Sequence, residues 1–496
     1  MKVLGISCGY HDAAVSYIND SEILFASHSE RFSKYKHDAF LSSGIINHAL
    51  QHGAPDIIAY YEKPWLKNTR LMYAGQWDDL KQSPWTVRGA LKKYIPGYNL
   101  SKIPVVSFNH HLSHAAAGFQ TSPFSSAVIL IVDAIGEWQT VSAYEAEYNT
   151  SGNAKYKLLF DKKYPHSLGL FYTAMTKHVG LKPLDEEYIM MGMAAYGKDI
   201  VYDEMCADSW IDLENVKARY NHHIGTQVDY IKNTHAADIA ASTQSILEEA
   251  LRSLLFKLST MTKSRNLVYG GGVALNCLAN RVIGEYFPNI WIMPNPGDAG
   301  SSLGACALAY GKQLNWTDAY LGFEIPGAYP VDKALEILLN TGIVGIASGK
   351  AEFGPRALGN RSLLADPRDK TIKDRVNDIK HRQKYRPFAP AILAEVANQY
   401  FNFSSGWSTS NYMQSVAQCK FPDDYPAICH HDGSSRVQTV QADCKSGLRQ
   451  LLEAWYAKTG CPMLLNTSLN IRGEPMVNDL NDAARFQSLY NTPVVS

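Results

Sequence analysis

Asn109–Ala117 reads NHHLSHAAA, and the apolar run Ala127–Val132 ending at Asp133 follows shortly after. His110 and His114 stand four apart among good helix formers, so a helix places both on one face. Neutral imidazoles at that spacing are ready metal ligands, and a carboxylate from a nearby strand end would complete a facial set. The plainer alternative is a polar helix face with exposed histidines, because the spacing also recurs by chance. Beside Gly9, His11 and Asp12 occupy a turn whose amides could approach a phosphate, although a lone histidine there more often only fills the turn. In NLVYGGGVALNC, Gly270, Gly271 and Gly272 follow an apolar run and precede a helix start, so backbone amides and the helix dipole can face an anion. PNPGDAGSSLGACALAYG repeats the device with Gly297, Asp298 and Gly300, and Asp298 is a second candidate carboxylate for a metal or a ribose. Two such loops in succession favour nucleotide binding.

The chemistry changes toward the C-terminus. EFGPRALGNRSLLADPRD sets Arg356, Arg361 and Ser362 in a loop punctuated by Gly and Pro. KDRVNDIKHRQKYRPFAP and SSRVQTV follow, and CPMLLNTSLNIRGEP ends a strand on Asn466, Ser468, Asn470 and Arg472. Guanidiniums arriving from several strand ends, with hydroxyls and amides, suit a small phosphate-bearing anion. A solvated basic face would instead put these charges on one helix stripe.

These residues need a scaffold. The first thirty read strand, turn, strand, turn, strand, through KVLGIS, AVSYI and EILFAS. A charged loop then leads to a helix near Ser42–His52. A second strand–Gly loop–strand runs through AVILIV, DAIGEW and QTVSAYEAEY, a duplication of the kind that builds a nucleotide cleft in actin-like ATPase folds. The period of Ile239, Ile246, Leu247, Ala250, Leu251, Leu254, Leu255 and Leu258 predicts an amphipathic helix over about 236–262. Another helix is expected near 448–459, and Gly322–Tyr329 reads as a linker. Between Lys63 and Lys102, eight Lys/Arg face only Asp78 and Asp79, interleaved with Trp65, Tyr73, Trp77, Trp85 and Tyr94. Such a stretch could contact a nucleic acid or a sugar, or could simply pack its aromatics inside a helical insertion.

Composition sets outer bounds. The 496 residues suggest two or three domains, with 46% apolar and 19% charged residues. Lys+Arg and Asp+Glu are both 47, so no global field draws the chain to nucleic acid or membrane. Eight scattered cysteines without a CxxC pair, and no apolar run of ~20 residues, point to a cytoplasmic protein with reduced thiols and no membrane partner.

Taken together, the motifs resemble the O-carbamoyltransferases of the NodU/CmcH family over nearly the full length. The resemblance is carried by GISCGYHDAAV, SERFSKYKHDA, NHHLSHAAAGF, VDAIGEW, MGMAAYG, GGVALNC, PGDAGSSLGA, RPFAPAIL, SRVQTV and, most specifically, EFGPRALGNRSLLADPR with LLNTSLNIRGEP. It implies an α/β chain: an actin-like ATPase-fold (duplicated ribonuclease-H-like, Kae-like) domain over 1–325, fused to a YrdC-like domain over 326–496. The YrdC-like part would make carbamoyl adenylate from carbamoyl phosphate and ATP, with Mg. The N-terminal part would transfer the carbamoyl group to a hydroxyl beside a divalent metal, expected to be iron.

Residue by residue, the resemblance implies a metal set of His110, His114, Asp133 and Asp298, and His11 as general base. It places Gly270, Gly271, Gly272, Asn276 and Gly300 at the adenylate. It gives carbamoyl phosphate and ATP to Arg356, Arg361, Ser362, Lys380, Arg386, Arg436, Asn466, Ser468, Asn470 and Arg472. The acceptor is left open: a sugar, an antibiotic, or a hydroxymethylated pyrimidine in phage DNA, each offering a hydroxyl. A homodimer is compatible with the family. The competing readings are a tRNA-modifying enzyme like the threonylcarbamoyl transferases, which share both folds, and a non-enzymatic regulator on the same scaffold.

Overall fold

The computed structural model describes residues 1–98, 100, 102–226 and 230–496. The chain divides into two units, Met1–Leu24 with His37–Trp316 and Phe25–Lys36 with Thr317–Ser496.

Alternating apolar stretches broken by tight turns give β1 (Lys2–Ser7), β2 (Ala14–Asn19) and β3 (Glu22–His28), followed by α1 (Glu30–Ser33) and α2 (Ser43–Leu50). Next come β4 (Ile57–Tyr60), the three helices α3 (Pro64–Tyr73), α4 (Trp77–Gln82) and α5 (Val87–Tyr94), and β5 (Val105–Ser107). These strands form one sheet in the order β3-β2-β1-β4-β5.

After α6 (His110–Phe119) the plan repeats with β6 (Ser126–Gly136), β7 (Gln139–Tyr148) and β8 (Ala154–Lys163). α7 (Leu168–His178), α8 (Glu187–Met193), α9 (Tyr202–Ser209) and a small hairpin of β9 (Trp210–Asp212) and β10 (Lys217–Ala218) lead to α10 (Ala236–Met261). β11 (Asn266–Gly270) and β12 (Asn289–Trp291) close the second sheet, ordered β12-β11-β6-β7-β8. Counted within each copy, both sheets run 3-2-1-4-5, an antiparallel meander with two strands added parallel to its first. This is the duplicated ribonuclease-H-like plan of the actin-like ATPase fold.

Small residues let the two copies close on each other. α11 (Ser301–Tyr310) lies against α6 and β1. A Cβ on Gly304 would stand 1.8 Å from the Ser113 carbonyl oxygen, and one on Gly5 would stand 2.0 Å from that of Ser302. α10 buries Ile239, Ile246, Leu247, Leu254 and Leu258 along one stripe, as its period requires.

The second unit continues with β13 (Tyr320–Ile325), α12 (Val331–Thr341), β14 (Ile343–Ala347), β15 (Gly349–Glu352), β16 (Arg361–Ala365) and α13 (Ile372–Ile379). β17 (Ala389–Leu393), α14 (Ala397–Tyr400), β18 (Phe401–Phe403), β19 (Ala417–Cys419), β20 (Ser434–Ser435) and β21 (Gln438–Val440) follow. α15 (Leu448–Thr459), β22 (Met463–Ser468), α16 (Leu480–Tyr490) and β23 (Val494–Val495) complete it. Its main sheet is mixed, in the order β21-β17-β22-β16-β14-β23. The first half of the expected linker at Gly322–Tyr329 is instead strand, because Tyr320–Ile325 pairs antiparallel with β15. Gly322 belongs there as a spacer: a Cβ would approach the Ala351 carbonyl oxygen to 3.0 Å. All eight cysteines are free thiols. Among the described residues no helix is long and apolar enough to cross a membrane.

Candidate active site

α6 is buried on nearly every side, so its polar residues face protein rather than water. His110 Nε2 and His114 Nε2 stand 3.0 Å apart. Asp133, near the C-terminal end of β6, brings Oδ2 to 3.3 Å from His110 Nε2 and 3.9 Å from His114 Nε2. Asp298, just before α11, places Oδ1 3.3 Å from both. All four side chains are at most 10% exposed, and one donor atom of each lies within 4.8 Å of the others.

The cluster fits a cation. With metal–ligand bonds of about 2.1 Å, donors at octahedral or tetrahedral angles are roughly 3.0 or 3.4 Å apart; the distances above fall in that range except His114–Asp133, which is longer at 3.9 Å. Its electrostatics agree. Burial lowers the proton affinity of His110, but the Asp298 charge and the Asp133 and Asp298 carboxylates hydrogen-bonded to it outweigh that and raise it well above that of a free imidazole. Burial likewise disfavours the Asp133 charge, yet its hydrogen bond with His110 holds it below the usual carboxylate range. The centre thus favours positive charge. The other Asp133 oxygen accepts from the Gly272 amide at 3.0 Å, which fixes the carboxylate. Glu62 Oε2 lies 3.9 Å from His110 Nδ1. His111, one residue along, is pushed by burial down to about 3 and shares a 2.7 Å hydrogen bond with Ser142, so it stays neutral.

His11 follows β1 in the turn after Gly9. Its Nδ1 meets Asp12 Oδ2 at 2.8 Å, Asp12 Oδ1 meets His37 Nδ1 at 2.7 Å, and His37 Nε2 meets Asp185 Oδ1 at 2.9 Å. Burial opposes protonation of His11, but the hydrogen bond with Asp12 and the charges of Asp12, Asp298 and Asp133 raise its proton affinity overall.

The glycine loops serve the centre first by close packing. Gly271 has φ +88, and a Cβ there would meet the Val132 carbonyl oxygen at 2.3 Å; on Gly300 it would meet that of Asn295 at 1.8 Å. Gly270 ends β11, and Asn276 exchanges two hydrogen bonds with the Gln244 side chain, at 2.9 and 3.2 Å.

A pocket of about 240 Å³ adjoins the cluster. His110 and Asp298 line it together with Gly9, Tyr10, Tyr61 and residues of α3–α5. The basic, aromatic stretch is helical, but its aromatics are largely outside: Trp65, Tyr73, Trp77 and Trp85 are each about half or more exposed. Glu62, Glu137 and Arg70 also line the pocket; sequence reasoning singles out none of them, although Glu137 lies within VDAIGEW and Arg70 within the basic stretch.

In the second unit, β16 and β22 pair Ser362 with Ser468 and Leu364 with Asn466. Lys380, at the end of α13, donates to the Ser468 carbonyl and, at 3.2 Å, to its hydroxyl. It also reaches the Asn470 carbonyl at 2.9 Å and Asn470 Oδ1 at 3.0 Å. Burial, with the Arg382 and Arg386 charges, holds the Lys380 ammonium well below its ordinary value. The Arg472 amide donates to the Lys380 carbonyl at 3.1 Å, so Lys380, Ser468, Asn470 and Arg472 are neighbours. Arg436 has its Nε buried without a hydrogen-bond partner, and Arg356 is half-buried in the loop after β15. Asn466 donates to the Ala357 carbonyl and to Gln438, at 3.1 and 2.7 Å. Ser362 accepts from the Gly359 amide at 2.9 Å.

Arg361 departs from the expected phosphate contact. It is 0% exposed and donates to the carbonyls of Phe323, Ser348, Gly349, Asn360 and Asn478, which occupies its whole fork. It braces the loop, opposite Glu352, whose Oε1 accepts from the amides of Leu358, Asn360 and Arg361. Arg361→Met strands several buried carbonyls, and we expect it to lower stability by about 3 kcal/mol or more, read as a lower urea midpoint.

A duplicated ribonuclease-H-like scaffold thus carries a buried His₂Asp₂ cluster able to hold a cation, beside a polar pocket. Residues 86–307 match the carbamoyltransferase N-terminus family, and residues 335–494 match the carbamoyltransferase C-terminus family. An uncharacterized protein of Synechocystis is 33% identical over 97% of this chain and 93% of its own. Nodulation protein NolNO of Sinorhizobium fredii is 31% identical over 95% and 76%, respectively. A 3'-hydroxymethylcephem-O-carbamoyltransferase of Amycolatopsis lactamdurans is 26% identical over 96% and 94%. The chain belongs to the NodU/CmcH family of carbamoyltransferases, and it is a transferase enzyme.

Proposed function

We propose that the chain is an ATP-dependent O-carbamoyltransferase working in two half-reactions, one in each unit. In the second, YrdC-like unit, carbamoyl phosphate is hydrolysed to carbamate and phosphate. Carbamate oxygen then attacks the α-phosphorus of ATP, releasing pyrophosphate and leaving carbamoyl adenylate. In the first unit an acceptor hydroxyl attacks the carbamoyl carbon, AMP leaves, and the hydroxyl proton passes to a base. The observation that carries this reading is that each unit holds its own equipment: the His₂Asp₂ centre in one, and the Lys380–Ser468–Asn470 group with its neighbouring arginines in the other.

His110, His114, Asp133 and Asp298 would hold the cation, and their mixed imidazole–carboxylate set suits iron. When bound, that ion supplies Lewis-acid polarisation. The chain's own residues do the rest. Asp12 fixes His11 through Nδ1 and leaves Nε2 to take the acceptor proton. The Gly272 amide orients Asp133. The adenylate belongs to the glycine loops at Gly270–Gly272 and Gly300, and Asn276 holds their approach. Arg356, Arg386, Arg436 and Arg472 supply the charge for carbamoyl phosphate and ATP–Mg, and Lys380 holds Ser468 and Asn470 in place beside them. The acceptor is a primary hydroxyl on a small molecule or on a hydroxymethylated pyrimidine of DNA.

A labelled-carbamoyl screen tests this, comparing hydroxymethylated nucleotides and DNA with sugars and aminoglycosides. ATP with carbamoyl phosphate should release phosphate and pyrophosphate, and label should appear on one acceptor class; a chain that releases neither sinks the reading. Arg356→Lys and Arg472→Lys should each slow that release by ~30-fold, the equivalent of about 2 kcal/mol, because an ammonium does not reproduce a bidentate guanidinium. Near-normal turnover would remove both from the site.

A further inference from the structure

Arg70 on α3 is 6% exposed, and its guanidinium makes no hydrogen bond or ion pair among the described residues. Its Nε is buried without a partner, and the nearest aromatic face, Tyr164, is 6.0 Å away. Buried guanidiniums are normally paired, and Arg361 in this same chain shows how completely a structural one is satisfied. Arg70 nevertheless lines the pocket that also exposes His110 and Asp298. The carboxylates Glu62 and Asp79 act on it only from beyond contact, and Glu62 is already engaged by Lys67 at 3.5 Å. An unpaired cation held in a pocket wall has been desolvated for an incoming oxyanion.

That oxyanion belongs to the acceptor. None of the glycine-loop residues Gly270, Gly271, Gly272 and Gly300 lines this pocket; besides His110 and Asp298, its walls come from the first hairpin, Tyr61 and Glu62, the α3–α5 insertion, the segment around Glu137, and His223. The insertion bears on the chemistry of the acceptor. Lys63–Lys102 concentrates eight cationic side chains against two carboxylates in a chain with no net charge, and it leaves Trp65, Tyr73, Trp77 and Trp85 exposed. Cations to track phosphates, with aromatic faces on which bases stack, are the equipment of a nucleotide or single-strand binder.

Building on the function proposed above, we propose that Arg70 is the phosphate anchor of the acceptor subsite, and that the acceptor is a hydroxymethylated nucleotide unit, free or within a polynucleotide. Its hydroxymethyl group would face the His₂Asp₂ centre while its phosphate pairs with Arg70. In this role Arg70 is a specificity residue for the acceptor.

The test is equilibrium binding to the full chain, without ATP or carbamoyl phosphate, so it does not depend on adenylate formation. The probes are 5-hydroxymethyl-2'-deoxycytidine, its 5'-monophosphate, a short single strand carrying that base, and AMP. The monophosphate or the strand should bind at least ~10-fold more tightly than the nucleoside, the scale of a charge-assisted contact. Arg70→Gln should erase that preference while leaving AMP binding and phosphate release unchanged. Preference for the strand with steep salt dependence identifies a polynucleotide, and full preference from the monophosphate alone identifies a free nucleotide. No preference in the parent chain, preference surviving in Arg70→Gln, or an equal loss for AMP overturns the proposal. Thermal unfolding gives a second reading. Removing an unpaired buried charge should leave the ligand-free Tm unchanged or higher, and a sharp drop would mark Arg70 as a structural residue and defeat the proposal.

Discussion

His114→Ala is expected to abolish carbamoyl transfer, by more than ~100-fold, while phosphate and pyrophosphate release from carbamoyl phosphate and ATP continue nearly unchanged. The reasoning is geometric. His114 Nε2 sits 3.0 Å from His110 Nε2 and 3.3 Å from Asp298 Oδ1, so its loss removes one of four convergent donors. His114 belongs to the first unit, whereas Lys380, Ser468 and Asn470 belong to the second. Elemental analysis supplies a readout apart from activity: bound metal should fall sharply in the variant. Because α6 is buried on nearly all sides, a folding defect must be separated from a lost ligand, and His114→Gln serves for that. Gln keeps bulk and polarity without an imidazole nitrogen, and should fold normally yet still lose metal and transfer. Equal loss of both half-reactions in a well-folded variant would dissolve the two-site scheme.

The second large effect is expected at His11. An acceptor hydroxyl has a pKa far above neutrality, so transfer needs a base as the new bond forms. His11 has the arrangement of such a base: Asp12 holds Nδ1 at 2.8 Å, and the carboxylate is itself held from its far side by His37 at 2.7 Å. We expect His11→Asn to bind carbamoyl adenylate but to transfer it at least ~100-fold more slowly, since Asn can hydrogen-bond but cannot take a proton near pH 7. Single-turnover transfer from preformed adenylate isolates the step. A near-normal rate in His11→Asn would reduce the residue to a brace of the hairpin and send the search for the base to the groups that line the pocket.

What could be read from the sequence follows the range of the interactions involved. α10 was legible nearly to its ends, and α15 at its bounds, because a long 3.6-residue period is written locally. The repeated strand–Gly loop–strand units were legible for the same reason, and they become the two 3-2-1-4-5 sheets. His110 and His114 could be singled out because one helix turn brings them together. By contrast, Glu62, Glu137 and Arg70 reach the pocket only through the tertiary placement of three segments, and no spacing rule links them. Arg361 illustrates a different limit. An arginine in a Gly/Pro loop looks the same whether its fork meets a phosphate or five backbone carbonyls, and only the path of Phe323 and Asn478 decides. Gly322 misled for a related reason, since a glycine that breaks a strand and one that admits a neighbouring carbonyl are one letter.

The membership of Phe25–Lys36 in the second unit has a practical consequence. Arg31, 1% exposed, donates to the Gly354 carbonyl at 3.0 Å, so the unit's interior includes a strip of chain encoded nearly three hundred residues upstream. A gene cut after codon 316 therefore yields two incomplete products: one carries a strip with nothing to fold onto, and the other lacks part of its own interior. Separating the two units by fission calls for a graft of 25–36 onto the downstream fragment, or a circular permutation that restores the strip.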